Sequence, residues 1–138
     1  MRDIKFRAWD KVAKKWVSGA SNKHFCVDNG VVVLVEYHPH PRGTWEPKTP
    51  RQLTWDEIKN LEIMQYTGLK DRHGNPIYEG DIVRDEDGYR FKIEWSSARA
   101  GWMMIAIDII LGTVMSKSDS EENIEVIGNI YENPGLLA

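Results

Sequence analysis

The amino-acid sequence predicts a mainly β protein: a small antiparallel barrel or sandwich over residues 62–138, an N-terminal β subdomain and one short helix. Three observations carry this. Apolar residues recur with a period of two in short runs, the spacing of strands with a buried face. The runs are punctuated by turn dipeptides, Asn29-Gly30 and Asp87-Gly88 among them. One segment, at Thr54, matches a capping box and predicts a short helix. The length of 138 residues suits one domain, within which 1–37, 38–53 and 54–138 are candidate subdomains. A chain of this size hides about two-thirds of its unfolded surface, so it needs neither disulfide nor structural metal to fold.

Composition narrows the class. With 41% hydrophobic and 28% charged residues the chain is neither disordered nor a disulfide scaffold. Its 18 basic and 21 acidic residues leave a net charge of -3, which does not mark a general polyanion binder. Six Trp beside three Phe is the one oddity. The single cysteine, Cys26, provides no intramolecular disulfide and no C-x-x-C pair. Neither the apolar core of a signal peptide nor a run of some 18 to 20 apolar residues is present, the longest apolar segment being interrupted by Asp108 and Gly112. A cytoplasmic protein without a membrane anchor is expected.

The elements follow in order. Ile4, Phe6 and Ala8 alternate with Lys5 and Arg7 as an opening strand, and Trp16-Val17 closes a hairpin over polar residues 10–15. Phe25-Cys26-Val27 and the branched run Val31 to Val35 flank Asp28-Asn29-Gly30 and predict a second hairpin. Residues 38–52 hold four of the six prolines and read as a loop, either a partner-binding arm or the seam between subdomains. Thr54 and Glu57 form a capping box, and Trp55, Ile58 and Leu61 at intervals of three predict a helix of about two turns over 54–61. A strand from Ile63, a turn at His73-Gly74-Asn75 and a strand at Ile82-Val83 come next. The turn at Asp87-Gly88 is expected to be type I′, with Tyr89, Phe91, Ile93 and Trp95 on one face of the return strand. Residues 102–111 alternate with both faces apolar and predict one ten-residue strand. Lys117 to Asn123 reads as a solvated loop and 124–130 as the last strand.

Residues 64–84, MQYTGLKDRHGNPIYEGDIVR, with IKFRAWD at 4–10 and VIGNIYENPGLL at 126–137, closely resemble the three signature blocks of the YopX family of phage and prophage proteins. The resemblance implies a phage-type accessory protein acting inside a bacterial host cell; it brings no catalytic residue with it, and Cys26 to Arg51 lies outside it. Glu79-Gly80-Asp81-Ile82-Val83 also resembles the approach to the first long strand of SH3-like barrels, a fold-level analogy in which Asp81 accepts loop amides and Tyr78 packs over the barrel mouth. Gly68, Gly74 and Gly80 then serve the loop's backbone. In the functional alternative, Tyr66, Asp71, His73, Tyr78, Glu79 and Asp81 form an interaction surface, joined by Arg84 and Arg90.

Other sites are thin. His24, Cys26, Glu36, His38 and His40 are of zinc-ligand type, but their spacing is not that of a zinc site, and no nucleophile motif surrounds Cys26. Asp85-Glu86-Asp87 lacks calcium-loop spacing, and no phosphate loop, dinucleotide fingerprint or hydrolase elbow occurs. No cofactor is expected. Arg84, Arg90, Lys92 and Arg99 beside aromatic residues suggest single-stranded nucleic acid, opposed by Asp81, Asp85, Glu86, Asp87 and Glu94. The expected function is a non-catalytic interaction or assembly module for a host or phage protein, with nucleic-acid binding as the alternative and a metal-dependent enzyme behind both. The two apolar faces of 102–111 further predict a homo-oligomer joined through that strand.

Overall fold

The computed structural model describes residues 5–16, 23–28, 31–39, 43, 45–47, 51–52 and 59–138. They fall into two compact units, one over Lys5–Met64 and one whose described residues are Gln65–Ala138. All the strand pairings with a resolved register are antiparallel, and the mainly β class stands.

In the first unit the strands are β1 (Phe6–Asp10), β2 (Lys15–Trp16), β3 (Lys23–Asp28), β4 (Val31–Pro39), β5 (Trp45–Pro47), β6 (Arg51–Gln52) and the start of β7 (Leu61–Lys70). Their order is β5-β4-β3-β1-β7, with β2 on β1 and β6 on β4. The β1–β2 hairpin pairs Trp9 with Trp16, whose rings meet edge to face at 5.0 Å. Its turn is held by the Asp10 carboxylate, which accepts the Val12 and Ala13 amides, and Lys14 takes the left-handed conformation (φ 54°). The Arg7 guanidinium lies 4.3 Å from the Trp16 ring centre. Strands β3 and β4 form the expected hairpin with Asp28 opposite Val31.

Two sequence expectations change here, the proline-rich loop and the last residues of the 54–61 helix. The proline-rich stretch is not wholly loop: β4 runs on through His38 to Pro39, pairs Pro39 with Trp45, and receives β6 at Val33 and Leu34. Pro39 and Pro47 each end a strand, and β5 is an edge, where a missing N–H costs no ladder bond. The helix expected over 54–61 lies mostly outside the described residues, but Asn60 is in a turn and Leu61 begins β7. The candidate zinc residues also lack described side chains; in the β3–β4 ladder His24 stands opposite Val35, Cys26 opposite Val33 and Glu36 opposite Lys23, so none of the three faces another.

The second unit is a five-stranded sheet in the order β12-β11-β10-β9-β13, preceded by the β7–β8 hairpin. Its strands are β8 (Pro76–Tyr78), β9 (Asp81–Arg84), β10 (Arg90–Ser96), β11 (Gly101–Ala106), β12 (Gly112–Val114) and β13 (Glu125–Asn129). Phe91 and Ile93 face a core shared with Ile77, Val83, Met104 and Ile124. Their alternation partners Tyr89 and Trp95 lie at the strand's ends and are half exposed; Trp95 meets Trp102 across the hairpin edge to face at 5.2 Å.

The β9–β10 turn is not type I′. Only Gly88 (φ 87°) is left-handed there, while the Asp85 carboxylate accepts the Asp87 and Tyr89 amides and the Gly88 amide reaches the Asp85 carbonyl. An aspartate that caps its own loop replaces the second positive φ of the tighter turn.

The ten-residue strand over 102–111 is also corrected. It ends at Ala106, where the Ala106 amide bonds the Leu111 carbonyl and the Ile107 amide bonds the Arg90 carbonyl, and the chain returns as β12. Met103 and Met104, on opposite faces of β11, are both buried by the fold, so the apolar surface left over is the turn itself.

Finally, Lys117–Asn123 is a helix, α1, and not a loop. Ser116 caps it by accepting the Asp119 amide at 3.3 Å, and Ser120 is its one buried residue.

Candidate functional site

The candidate surface residues separate into a buried frame and an exposed remainder. Thr67 explains the start of the frame. Between Tyr66, paired with Tyr78, and Lys70, paired with Pro76, the β7–β8 ladder loses register, and Gly68 takes φ 85°. The Thr67 hydroxyl fills the gap, donating to the Ile77 carbonyl at 2.7 Å and accepting the Leu69 amide at 3.1 Å. The bulge thereby keeps its backbone groups satisfied.

Asp71 opens the next turn and is 2% exposed. Its carboxylate accepts the His73 and Asn75 amides at 2.9 Å each and the Val126 amide at 3.0 Å. Burial alone would raise this carboxyl; the backbone donors of Val126, Asn75 and His73 outweigh it and hold the group below its ordinary value. Beside it the Arg72 amide bonds the Ile124 carbonyl, and Arg72 and Arg84 both reach Glu125, at 3.1 and 2.8 Å. The Arg84 hydrogen bond leads in holding the Glu125 carboxyl low, and the charges of Arg72, Arg84 and His73 add to it.

Asp81 has the same role a turn later. Its carboxylate accepts the Tyr78 amide at 2.8 Å and the Asn129 side-chain amide at 3.2 Å. The Asn129 side-chain oxygen accepts the Tyr131 amide, and the Asn133 side-chain oxygen accepts the Asn129 backbone amide. Gly80 (φ 81°) bonds through its amide to the Ile93 carbonyl and through its carbonyl to the Ile130 amide. The segment 71–81 is thus fastened at two points to 124–133.

With this geometry the expected interaction surface is revised. Tyr66, Asp71 and Asp81 are 5%, 2% and 1% exposed and belong to the interior. Tyr78 is half-buried against Tyr66, the rings 5.5 Å apart, and Glu79 is half-buried with its amide on the Gln65 carbonyl. Arg90 donates to the Leu136 and Ala138 carbonyls and pairs with Asp108 at 2.8 Å. Of the eight residues only His73 and Arg84 are exposed, and Arg84 is engaged by Glu125. Lys92 pairs with Glu94 at 2.8 Å, so three of the four bases proposed to meet phosphates already have carboxylate partners.

These staples join two blocks of the sequence signature, and the family assignment rests on the whole length of the chain: the family model described as YopX protein matches residues 5–138. The chain belongs to the YopX family. This YopX-family protein is also similar to a solved structure, protein EF1440 from Enterococcus faecalis, at 30% identity over 100% of both chains with a TM-score of 0.65. None of the curated proteins matches it.

Two exposed features of the YopX-family chain were not read from the sequence. One is the turn after β11, where Ile109 and Leu111 are half exposed and Ile110 fully so, followed by half-exposed Val114. The other is an open groove between the β9–β10 turn, β12 and α1, with Phe91, Met104 and Ile124 in its lining. Among the described residues no three His, Cys, Asp or Glu side chains stand together as a metal site, and no helix is long and apolar enough to cross a membrane.

Proposed function

We propose that this protein is a non-catalytic interaction and assembly module of a phage or prophage, and that it self-associates through β12 and the turn before it. The observation that carries this reading is the exposed run Ile109, Ile110 and Leu111 with Val114, four large apolar side chains on one turn and one edge strand. β12 consists of Gly112, Thr113 and Val114, all exposed, without the lysine or proline that blunts a free sheet edge. The Leu111 carbonyl and Met115 amide bond inward to β11, so alternation turns the Gly112 and Val114 backbone groups outward. A second copy related by a two-fold axis through Thr113 would pair Gly112 with Val114 in both directions.

Light scattering over a micromolar concentration series tests this. A mass of twice 15.9 kDa that falls to the monomer in an Ile110→Asp, Val114→Lys variant is expected. A monomer of 15.9 kDa at every concentration would overturn it.

A further inference from the structure

We infer that the groove beside β12 docks an extended segment of a partner protein in which basic and apolar residues alternate. This rests on the interaction-module reading but not on self-association, which the mass measurement decides separately.

The groove has an apolar floor and a negative rim. Phe91, Met104 and Ile124, core residues at most 5% exposed, line it together with half-exposed Leu111. Asp85, Glu86 and Asp87 line it from the β9–β10 turn and Asp119 from α1, so carboxylates come from two separate elements. Asp85 accepts only backbone amides and Asp119 only the Asn123 side-chain amide at 2.8 Å. None of the four forms an ion pair with a described residue, whereas the carboxylates of Glu125, Asp108 and Glu94 on the same unit are all paired with arginine or lysine. Four carboxylates lining one groove without a cation partner give it negative charge, which a cationic partner complements.

The size selects the kind of partner. The groove holds about 300 Å³, the lower end of the roughly 300–1,000 Å³ of small-molecule sites. It therefore suits one or two apolar anchors flanked by cations and not a whole cofactor. In an extended segment alternate side chains point to opposite sides, and apolar anchors flanked by the long stems of Lys or Arg match such a floor and rim.

The probe is a fluorescein-labelled peptide of alternating Leu and Lys, with versions carrying Glu for Lys or Ser for Leu, titrated by anisotropy at low and high salt. The Leu-Lys peptide is expected to bind in a salt-sensitive manner, the Glu version not to bind, and the Ser version to bind at least about tenfold more weakly. Glu86→Lys should weaken binding at least about tenfold, while Glu62→Lys, the same charge change in the other unit, leaves it within about twofold. Amide shifts of Thr113 and Asn123 should move on titration. Absence of Leu-Lys binding, equal effects of the two charge reversals, or equal affinity of the Ser version would overturn the inference.

Discussion

The Asn129 side-chain amide donates to the Asp81 carboxylate across 3.2 Å, and both residues are almost wholly buried although 48 positions separate them. The same carboxylate accepts the Tyr78 amide, so one side chain sets both the turn before β9 and the pairing of β9 with β13. Asp81→Ala would remove the carboxylate that accepts the Tyr78 amide and the Asn129 side-chain amide. A loss of about 3 kcal/mol is expected, read as a lower urea midpoint with unchanged m. A variant as stable as the parent would show the pair to be idle.

Acid should loosen the second staple. The folded-state pKa of Asp71 lies below the ordinary 3.8 and that of Glu125 below 4.5. A depressed carboxyl pKa means the folded chain binds fewer protons than the unfolded one, so this stabilisation is whole above about pH 5 and is lost as pH falls through the folded values. Carboxyl-detected NMR titration should find both groups below those ordinary values. Denaturation midpoints should fall between about pH 5 and 3, less so in Asp71→Asn.

Thr67 is expected to tolerate Ser and not Val. Valine matches its shape but leaves the Ile77 carbonyl and the Leu69 amide unpaired within the bulge, a cost of about 1–3 kcal/mol, while Ser keeps both bonds. Thermal unfolding of the two variants side by side decides it.

A methyl at Gly128 would force the Leu136 and Asn133 side chains to shift. A Cβ there would lie 2.6 Å from Leu136 Cδ1 and 2.7 Å from Asn133 Oδ1, and Asn133 is committed to the Asn129 amide. Gly128→Ala should cost about 1–3 kcal/mol. Combined with Asn133→Ala the two losses should add to less than their sum, because the second change removes one obstacle.

Arg90 belongs to the framework. Arg90→Glu removes bonds to Leu136, Ala138 and Asp108 and should lower stability by about 2–3 kcal/mol. A labelled single-stranded oligonucleotide should show no salt-sensitive binding to the parent. Binding that high salt abolishes would revive the nucleic-acid reading.

What the sequence determined by itself is the local structure of this protein. Period-two alternation placed β1 and β10, the branched run Val31 to Val35 placed β4, and Asp28-Asn29-Gly30 pointed to the β3–β4 hairpin, because side-chain patterning and turn geometry depend on near neighbours. The residues that end β11 were in view as well: Asp108 and Gly112 interrupt the apolar run, but an alternating pattern reads the same whether a strand continues or folds back. Only the tertiary structure decided that, by setting Arg90 of β10 against Asp108. The helix α1 read as a solvated loop because it buries a single serine and so shows no apolar period; its Ser116 cap is visible only in the structure. The role of Asp81 as an acceptor of loop amides was legible by analogy, but the distant groups that Asp71 and Asp81 hold were not. Asp71 and Asp81 are acceptors for amides 55 and 48 residues away, and such partners are chosen by chain packing, which no short window of sequence contains.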